Sequence, residues 1–282
     1  MIQSSIAAIR SWNHRRIAER RTRRRAERQG LPVLCVMACV KDEGRSIREW
    51  VDHYFWQGAA HLLVIDNGSS DETVGILQAH PRRADITLFE WPEPHQQLRH
   101  YRRALVQARI RERFQWLIVA DGDEFWFAKS GAPLADVLAG LERIDLVYCN
   151  WTLFGTASDG AHPASLRKEL IRCRPRPGEH DFTKWAVRTE ALADPSMLAI
   201  HKVAGIRSTH TVSDMHQFQI NHYYTQSRSY WGEVKMRRGS AVSPENAAKR
   251  TWAVFEGFEA GCTETDELLA MRVRAAEAAS GG

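Results

Sequence analysis

Three carboxylates fall within four positions of the stretch WLIVADGDEFWF, residues 116–127, directly after an apolar run. Leu117-Ile118-Val119-Ala120 belongs in a protein interior, whereas Asp121, Asp123 and Glu124 need a positive partner there. Asp-Gly-Asp at a strand end sets two carboxylates on alternate residues, with a glycine between them that admits close approach. Hard oxygen ligands of this kind suit Mg2+ or Mn2+, which bridge carboxylate and phosphate oxygens and stabilise a departing diphosphate. A simpler use is open to the same residues: Asp121 and Glu124 can cap a helix or pair with nearby arginines.

Three other polar clusters each follow a predicted strand. VLCVMACV (33–40) runs into Lys41-Asp42-Glu43-Gly44, HLLVIDN (61–67) into the loop Asp66 to Asp71, and DITLFEW (85–91) into Glu90 to His95. Between them the pattern predicts a helix over 46–58, with a capping box at Ser46 and Glu49 and a stop at Gly58. Ser69 with Glu72 is expected to cap a second helix ending near Leu77, and a third runs from about Leu98 to Phe114. A further strand is expected at 145–151, loops and short strands at 155–215, and closing helices at 243–260 and 265–279. Strand–helix–strand repetition with continuous apolar strands implies an α/β fold with a mostly parallel sheet covered on both faces. All four acidic clusters then share the carboxyl edge, where open α/β sheets bind ligands. Neither GxGxxG nor GxxxxGK[ST] is present, so a nucleotide's phosphates need another grip, and a carboxylate-bound metal is one.

The chain has 282 residues, enough for one large α/β domain, with 44% apolar and 26% charged residues. Its net charge of +5 is unevenly placed. Residues 1–30 hold nine arginines against Glu19 and Glu27, a net +7, which leaves −2 for the other 252 residues. That segment is expected to form a basic helix, either a solvated extension or a contact for an anionic membrane surface. Gly30 and Pro32 mark a boundary, giving a basic extension at 1–30 and an α/β domain at 31–282 with halves at 31–150 and 151–282. Five scattered cysteines at 35, 39, 149, 173 and 262 fit no zinc spacing and point to reduced thiols. No apolar stretch spans a membrane and no signal-peptide pattern opens the chain, so cytoplasmic residence is expected, with peripheral contact at the inner membrane face.

KDEGRSIREWVDHY, IDNGSSDET and VADGDEF, followed by WTLFG (151–155), FTKWAVRTE (182–190) and INHYYTQSRSYWGEVKMRRGSA (220–241), together resemble the GT-A-fold glycosyltransferases of the family-2-like and family-92-like branch. The resemblance covers roughly residues 33–241. It implies a Rossmann-like three-layer GT-A sandwich, a nucleotide-sugar donor (a uridine diphosphate sugar), Mn2+ or Mg2+, and a glycan, cell-envelope polysaccharide or lipid-linked acceptor. Carried over by position, Glu43 and Asp66 would contact the uridine, with Asp66 on the base. Asp121 would touch ribose or metal, Asp123 would be the principal metal ligand, and His222 a third ligand or diphosphate contact. Lys235 with Arg237 or Arg238 would neutralise the diphosphate. His222 is equally compatible with a core histidine, and Lys235 and Arg238 with a solvated helix face.

The resemblance favours inversion, which needs a carboxylate to deprotonate the acceptor hydroxyl. The Glu-Asp pair common in family-2 enzymes is missing after the metal motif, which leaves Asp181 and Asp214 as substitutes and His201 as a further polar residue in that half. Two other classes are possible: a membrane- or nucleic-acid-binding protein acting through its arginines, and a non-catalytic GT-A-fold glycan binder. The near-neutral body and acidic edge disfavour nucleic acid as the main partner. The intact Asp-Gly-Asp-Glu disfavours the glycan binder.

Overall fold

The chain divides into two units, Met1–Pro32 and Val33–Gly282. The computed structural model describes residues 25, 27–157, 160–175 and 183–280. Of the helix expected over residues 1–28, only Arg25, Glu27 and Arg28 fall among these, and they are helical. The rest of that segment and Asp181 lie outside the described residues. No described helix is long and apolar enough to cross a membrane.

The first elements are β1 (Leu34–Val40), α1 (Ile47–Trp56), β2 (Ala59–Asp66), α2 (Thr73–Gln78), β3 (Ile86–Glu90), α3 (Gln97–Gln107), α4 (Ile110–Arg113) and β4 (Trp116–Val119). Strands β3, β2, β1 and β4 lie side by side in that order, all parallel. Alternate residues of β1 feed two separate cores. Leu34, Val36, Ala38 and Val40 pack with Ile47, Trp50, Val51 and Tyr54 of α1. Cys35, Met37 and Cys39 pack with Tyr101, Ala104 and Leu105 of α3. Helices on both faces explain why the strands are apolar without alternation, and they produce the three-layer α/β architecture that the sequence predicts. All five cysteines are buried thiols.

The chain continues through β5 (Glu124–Ala128), α5 (Leu134–Ala139), β6 (Leu146–Phe154), α6 (Leu166–Glu169), β7 (Arg172–Cys173), β8 (Thr183–Arg188), β9 (Thr211–Ser213) and β10 (Phe218–Tyr223). The last elements are α7 (Arg228–Tyr230), a π-helical turn at Trp231–Lys235, α8 (Pro244–Ala248), α9 (Trp252–Ala260), β11 (Glu264–Thr265) and α10 (Leu268–Ser280). Strand β8 enters antiparallel between β4 and β6, making the sheet mixed. Strand β10 pairs antiparallel with β5 and parallel with β6.

Several local expectations are corrected. The Ser46 hydroxyl accepts no capping bond from the N–H groups of α1; it lies 3.5 Å from Glu43 Oε2, to which it donates. Glu49 instead accepts from Ser165 Oγ, from the backbone N–H groups of Leu166 and Arg167, and from the Arg167 side chain. Charge-assisted bonds at the start of α6 win over a local box. Ser69 accepts from the Asp42 N–H, and Asp71 rather than Ser69 meets the first N–H of α2, that of Thr73. The helix expected over 98–114 breaks at Arg109, whose φ of 51° is left-handed. That expected over 243–260 restarts at Thr251, whose hydroxyl caps Val254. The strand predicted at 145–151 continues to Phe154.

Candidate active site

The four parallel strands end together, and the loop from β4 to β5 carries Asp121, Gly122 and Asp123 at that edge. Helix α1 pins the loop from below. The Trp50 indole donates to Asp121 O at 3.0 Å and the Tyr54 hydroxyl donates to Glu124 O at 2.9 Å. Glu124 is fully buried and its Oε2 accepts the Asp121 N–H at 3.0 Å. Burial, reinforced by the Asp121 charge, pushes its carboxyl well above the usual range. The glycine between the aspartates serves Glu43: a Cβ on Gly122 would lie 3.0 Å from Glu43 Cγ.

The positive partner of this acidic loop comes from two lysines. On β8, Ala186 stands opposite Ile118 of β4, so Lys184 comes level with the end of β4, where Asp121 follows. Its Nζ lies 2.9 Å from Asp121 Oδ2 and 3.5 Å from Glu124 Oε1, and the side chain is fully buried. Burial acts to lower the Lys184 ammonium pKa, but the two carboxylates outweigh it and raise the value. Asp123 is met by Lys235 at 2.6 Å from Oδ2. Burial alone would raise the Asp123 carboxyl; Lys235 and His222 hold it well below the usual carboxylate range.

His222 reaches Asp123 through strand pairing. It stands opposite Glu124 in the β10–β5 ladder, and the next residue, Tyr223, donates its N–H to Asp123 O at 2.9 Å. His222 Nε2 is 3.4 Å from Asp123 Oδ1, while Nδ1 is buried without a hydrogen-bond partner. The ring packs edge-on against Trp151, centroids 4.5 Å apart.

Glu43 and Arg238 form a third buried pair at 2.5 Å, and Glu43 also accepts from Tyr230 OH at 2.8 Å. This pair ties the β1 loop to the segment after the π-helical turn. Asp66, at the end of β2, accepts the N–H groups of Gly68 and Ser69 at 3.1 Å through Oδ2, and Oδ1 is buried without a partner. A cavity of about 480 Å³ opens over the edge, lined among others by Glu43, Asp121, Asp123, His222, Lys235 and Arg238.

Two residues from the later half of the chain stand apart from this constellation. Asp214 is held in a turn, accepting from the backbone of His216 and Gln217 and from the Gln217 side chain. His201 Nδ1 donates to Thr183 O at 2.9 Å, the ring packs on Trp151, and burial lowers its pKa. Arg237 does not line the cavity. Sequence reasoning missed Lys184, although a lysine inside the strand TKWAVR is a legible signal, since such a residue stays buried only beside carboxylates. It also missed Tyr230, and Gln97, whose side chain donates to Asp121 at 3.3 Å. Among the described residues no group of three or more His, Cys, Asp or Glu side chains is arranged to hold a metal.

Residues 33–254 match glycosyltransferase family 92. A glycosyltransferase family 92 protein of Oryza sativa subsp. japonica is 27% identical over 202 residues, covering 68% of this chain and 33% of that protein. Another, from Arabidopsis thaliana, is 25% identical over 136 residues, covering 46% and 22%. The chain thus spans a third or less of the length of these relatives. Among solved structures, S. aureus TarS 1-349 is similar at a TM-score of 0.42 and 13% identity, over 79% of this chain and 70% of that one. Glucosyl-3-phosphoglycerate synthase from Mycobacterium tuberculosis, solved with Mn2+, UDP and glucosyl-3-phosphoglycerate, gives 0.32 and 18% over 59% and 60%. The family match encloses the whole constellation from Glu43 to Arg238, and the chain belongs to glycosyltransferase family 92.

Proposed function

We propose that this chain transfers a sugar from a nucleoside diphosphate donor, a uridine diphosphate sugar, to a hydroxyl of a glycan or lipid-linked acceptor, with inversion. The observation that carries this is the Asp123–His222 pair at 3.4 Å, set on the carboxyl edge of a parallel sheet and opening into the cavity. A carboxylate with an imidazole, the latter buried with one nitrogen unpartnered, fits a hard or borderline divalent ion such as Mn2+ or Mg2+. Such ions accept one or two protein ligands and complete their shell with water and phosphate oxygens. Asp123 and His222 would hold the ion, with Asp121 beside them, and the ion would supply charge neutralisation at the leaving diphosphate.

The remaining roles follow from this chain's own groups. Asp66 Oδ1, buried and lacking a donor, suits an N–H of the donor's base. Lys41 and Lys249 line the cavity mouth, where their ammonium groups can meet phosphate oxygens. In the transfer the acceptor oxygen bonds to the anomeric carbon, the carbon–diphosphate oxygen bond breaks with its electron pair leaving on the nucleotide, and the hydroxyl proton passes to a base. Asp214 is occupied by three N–H donors, so of the two carboxylates considered as base Asp181 is kept, on sequence grounds.

Thermal unfolding with Mn2+ and a panel of nucleotide sugars tests the proposal. A donor at 100 times its dissociation constant is expected to add about 2.7 kcal/mol. Asp123→Asn is expected to abolish that gain and to lower transfer on the order of 1,000-fold, about 4 kcal/mol of barrier. Equal donor stabilisation in Asp123→Asn, or none with any nucleotide sugar, would overturn it.

A further inference from the structure

Lys235 occupies the carboxylate that the proposed function assigns to a divalent cation. Its ammonium lies 2.6 Å from Asp123 Oδ2, donates to Tyr224 O, and stands 4.4 Å from the Tyr224 ring centroid. The residue is 2% exposed, yet it lines the cavity and ends the π-helical turn Trp231–Lys235. Lys184 neutralises the same loop from inside the sheet and does not line the cavity.

From this arrangement we infer that Lys235 is a tethered counter-ion that competes with the divalent cation for Asp123, and is released toward the donor's diphosphate when the two bind together. This rests on the reading of Asp123 as the metal-binding carboxylate. A buried carboxylate without a cation is strongly unfavourable, so in the free protein Lys235 holds the Asp123 charge. If a second cation takes Asp123, the Lys235 ammonium keeps Tyr224 O and the Tyr224 ring but loses its counter-charge while still buried, and another anion in the cavity would restore it. A nucleoside diphosphate is that anion. Metal alone must therefore break an ion pair without replacing it, whereas metal with diphosphate gives both Asp123 and Lys235 a new partner. Binding of the two is coupled, and by linkage each raises the other's affinity by the same factor. The π-helical turn suits such a residue, since that geometry recurs at functional sites, and Gly239 with φ 75° follows it closely.

Mn2+ binding by the full chain, read from the electron paramagnetic resonance signal of the free ion, tests this without reference to turnover. Lys235→Met is compared with wild type, with Mn2+ alone and with Mn2+ plus UDP. The variant is expected to bind Mn2+ alone at least 10-fold more tightly than wild type, and to show a smaller gain on adding UDP. Lys235→Arg retains the competing charge and is expected to bind Mn2+ alone no better than wild type. If Lys235→Met does not fold, Lys235→Gln, which keeps a short polar side chain without charge, is read in its place with the same expectation. Equal Mn2+ affinity of the wild type and the neutral variant in the absence of UDP would overturn the exchange while leaving the metal at Asp123 in place. Absence of Mn2+ binding in every variant, with UDP present, would overturn the metal reading and the exchange with it.

Discussion

Lys184 and Lys235 meet one acidic loop from opposite directions. Lys184 sits in β8 between β4 and β6, fully buried, and bridges Asp121 and Glu124. Lys235 ends a π-helical turn at the cavity wall and, among the described carboxylates, touches Asp123 alone at ion-pair distance. The two respond oppositely to burial. Burial opposes the charge on both; for Lys184 the carboxylates overcome it and the pKa rises, whereas for Lys235 burial prevails over Asp123 and the pKa falls. A cation built into a sheet between two carboxyl groups is a permanent part of the fold, whereas one at a cavity wall with a single carboxylate is available for exchange.

The largest effect expected from this contrast is on folding. Lys184→Met strands the buried Glu124 carboxyl and the half-buried Asp121 and is expected to cost about 3 kcal/mol, the low end of the range for breaking a buried pair from one side. Adding Asp121→Asn removes one of the stranded charges and is expected to restore part of the loss in denaturant unfolding. Lys235→Met is expected to cost less, because it strands one carboxylate, and Asp123 keeps the His222 ring 3.4 Å away. Equal losses for the two methionine variants would erase the distinction.

Acid titration sharpens it further. The Asp123 carboxyl is depressed in the folded protein, so its contribution to stability is complete above the unfolded value of about 3.9 and disappears as pH falls through the lower folded value. Removing Lys235 takes away the strongest group that opposes burial there. Melting temperature followed from pH 6 to pH 2 is expected to begin falling at higher pH in Lys235→Met than in wild type.

Much of the parallel half is legible in the sequence, because its signals are local. The run VLCVMACV, the 3.6-residue spacing of Ile47, Trp50, Val51 and Tyr54, and the acidic cluster after each strand place β1 to β4 and their common edge without knowledge of partners. The second half resists because its strands are specified by distant neighbours. Lys184 is a surface residue by type and becomes internal only through Asp121 and Glu124, and β10 becomes a strand by pairing with β5 and β6. The helix caps failed for a related reason: Ser69 and Glu49 each satisfy a residue far along the chain instead of their own helix. The candidate site was partly visible. Asp121, Asp123, His222, Lys235 and Arg238 do converge on one cavity, but which carboxylate each cation holds was settled by packing.

A smaller effect separates the loop's support by α1 from its support by Lys184. Trp50→Phe deletes the indole donor to Asp121 O and is expected to lower stability by about 1–2 kcal/mol, read as a lower urea midpoint with unchanged slope. A loss exceeding that of Lys184→Met would make α1 the principal support. The smallest expected change concerns the thiols. Burial pushes Cys35, and burial with Asp121 and Asp66 pushes Cys39, up to about 12. Both are expected to resist a disulfide reagent at pH 8, and all five thiols to react in denaturant. Cys39, which lines the cavity, is expected to be the first to yield in the native protein, and faster than Cys35 at the other end of β1.

Strand β10 has a consequence for how this protein can change. Its pairing with β5 and with β6 puts His222 beside Asp123, so the histidine of one half and the aspartate of the other share a ladder. A chimera that borrowed the later half from a relative would have to match the β5 register residue for residue, or lose the imidazole by one side-chain flip. Changes in what the cavity admits are therefore more accessible through the loops around it than through exchange of the half that carries β10.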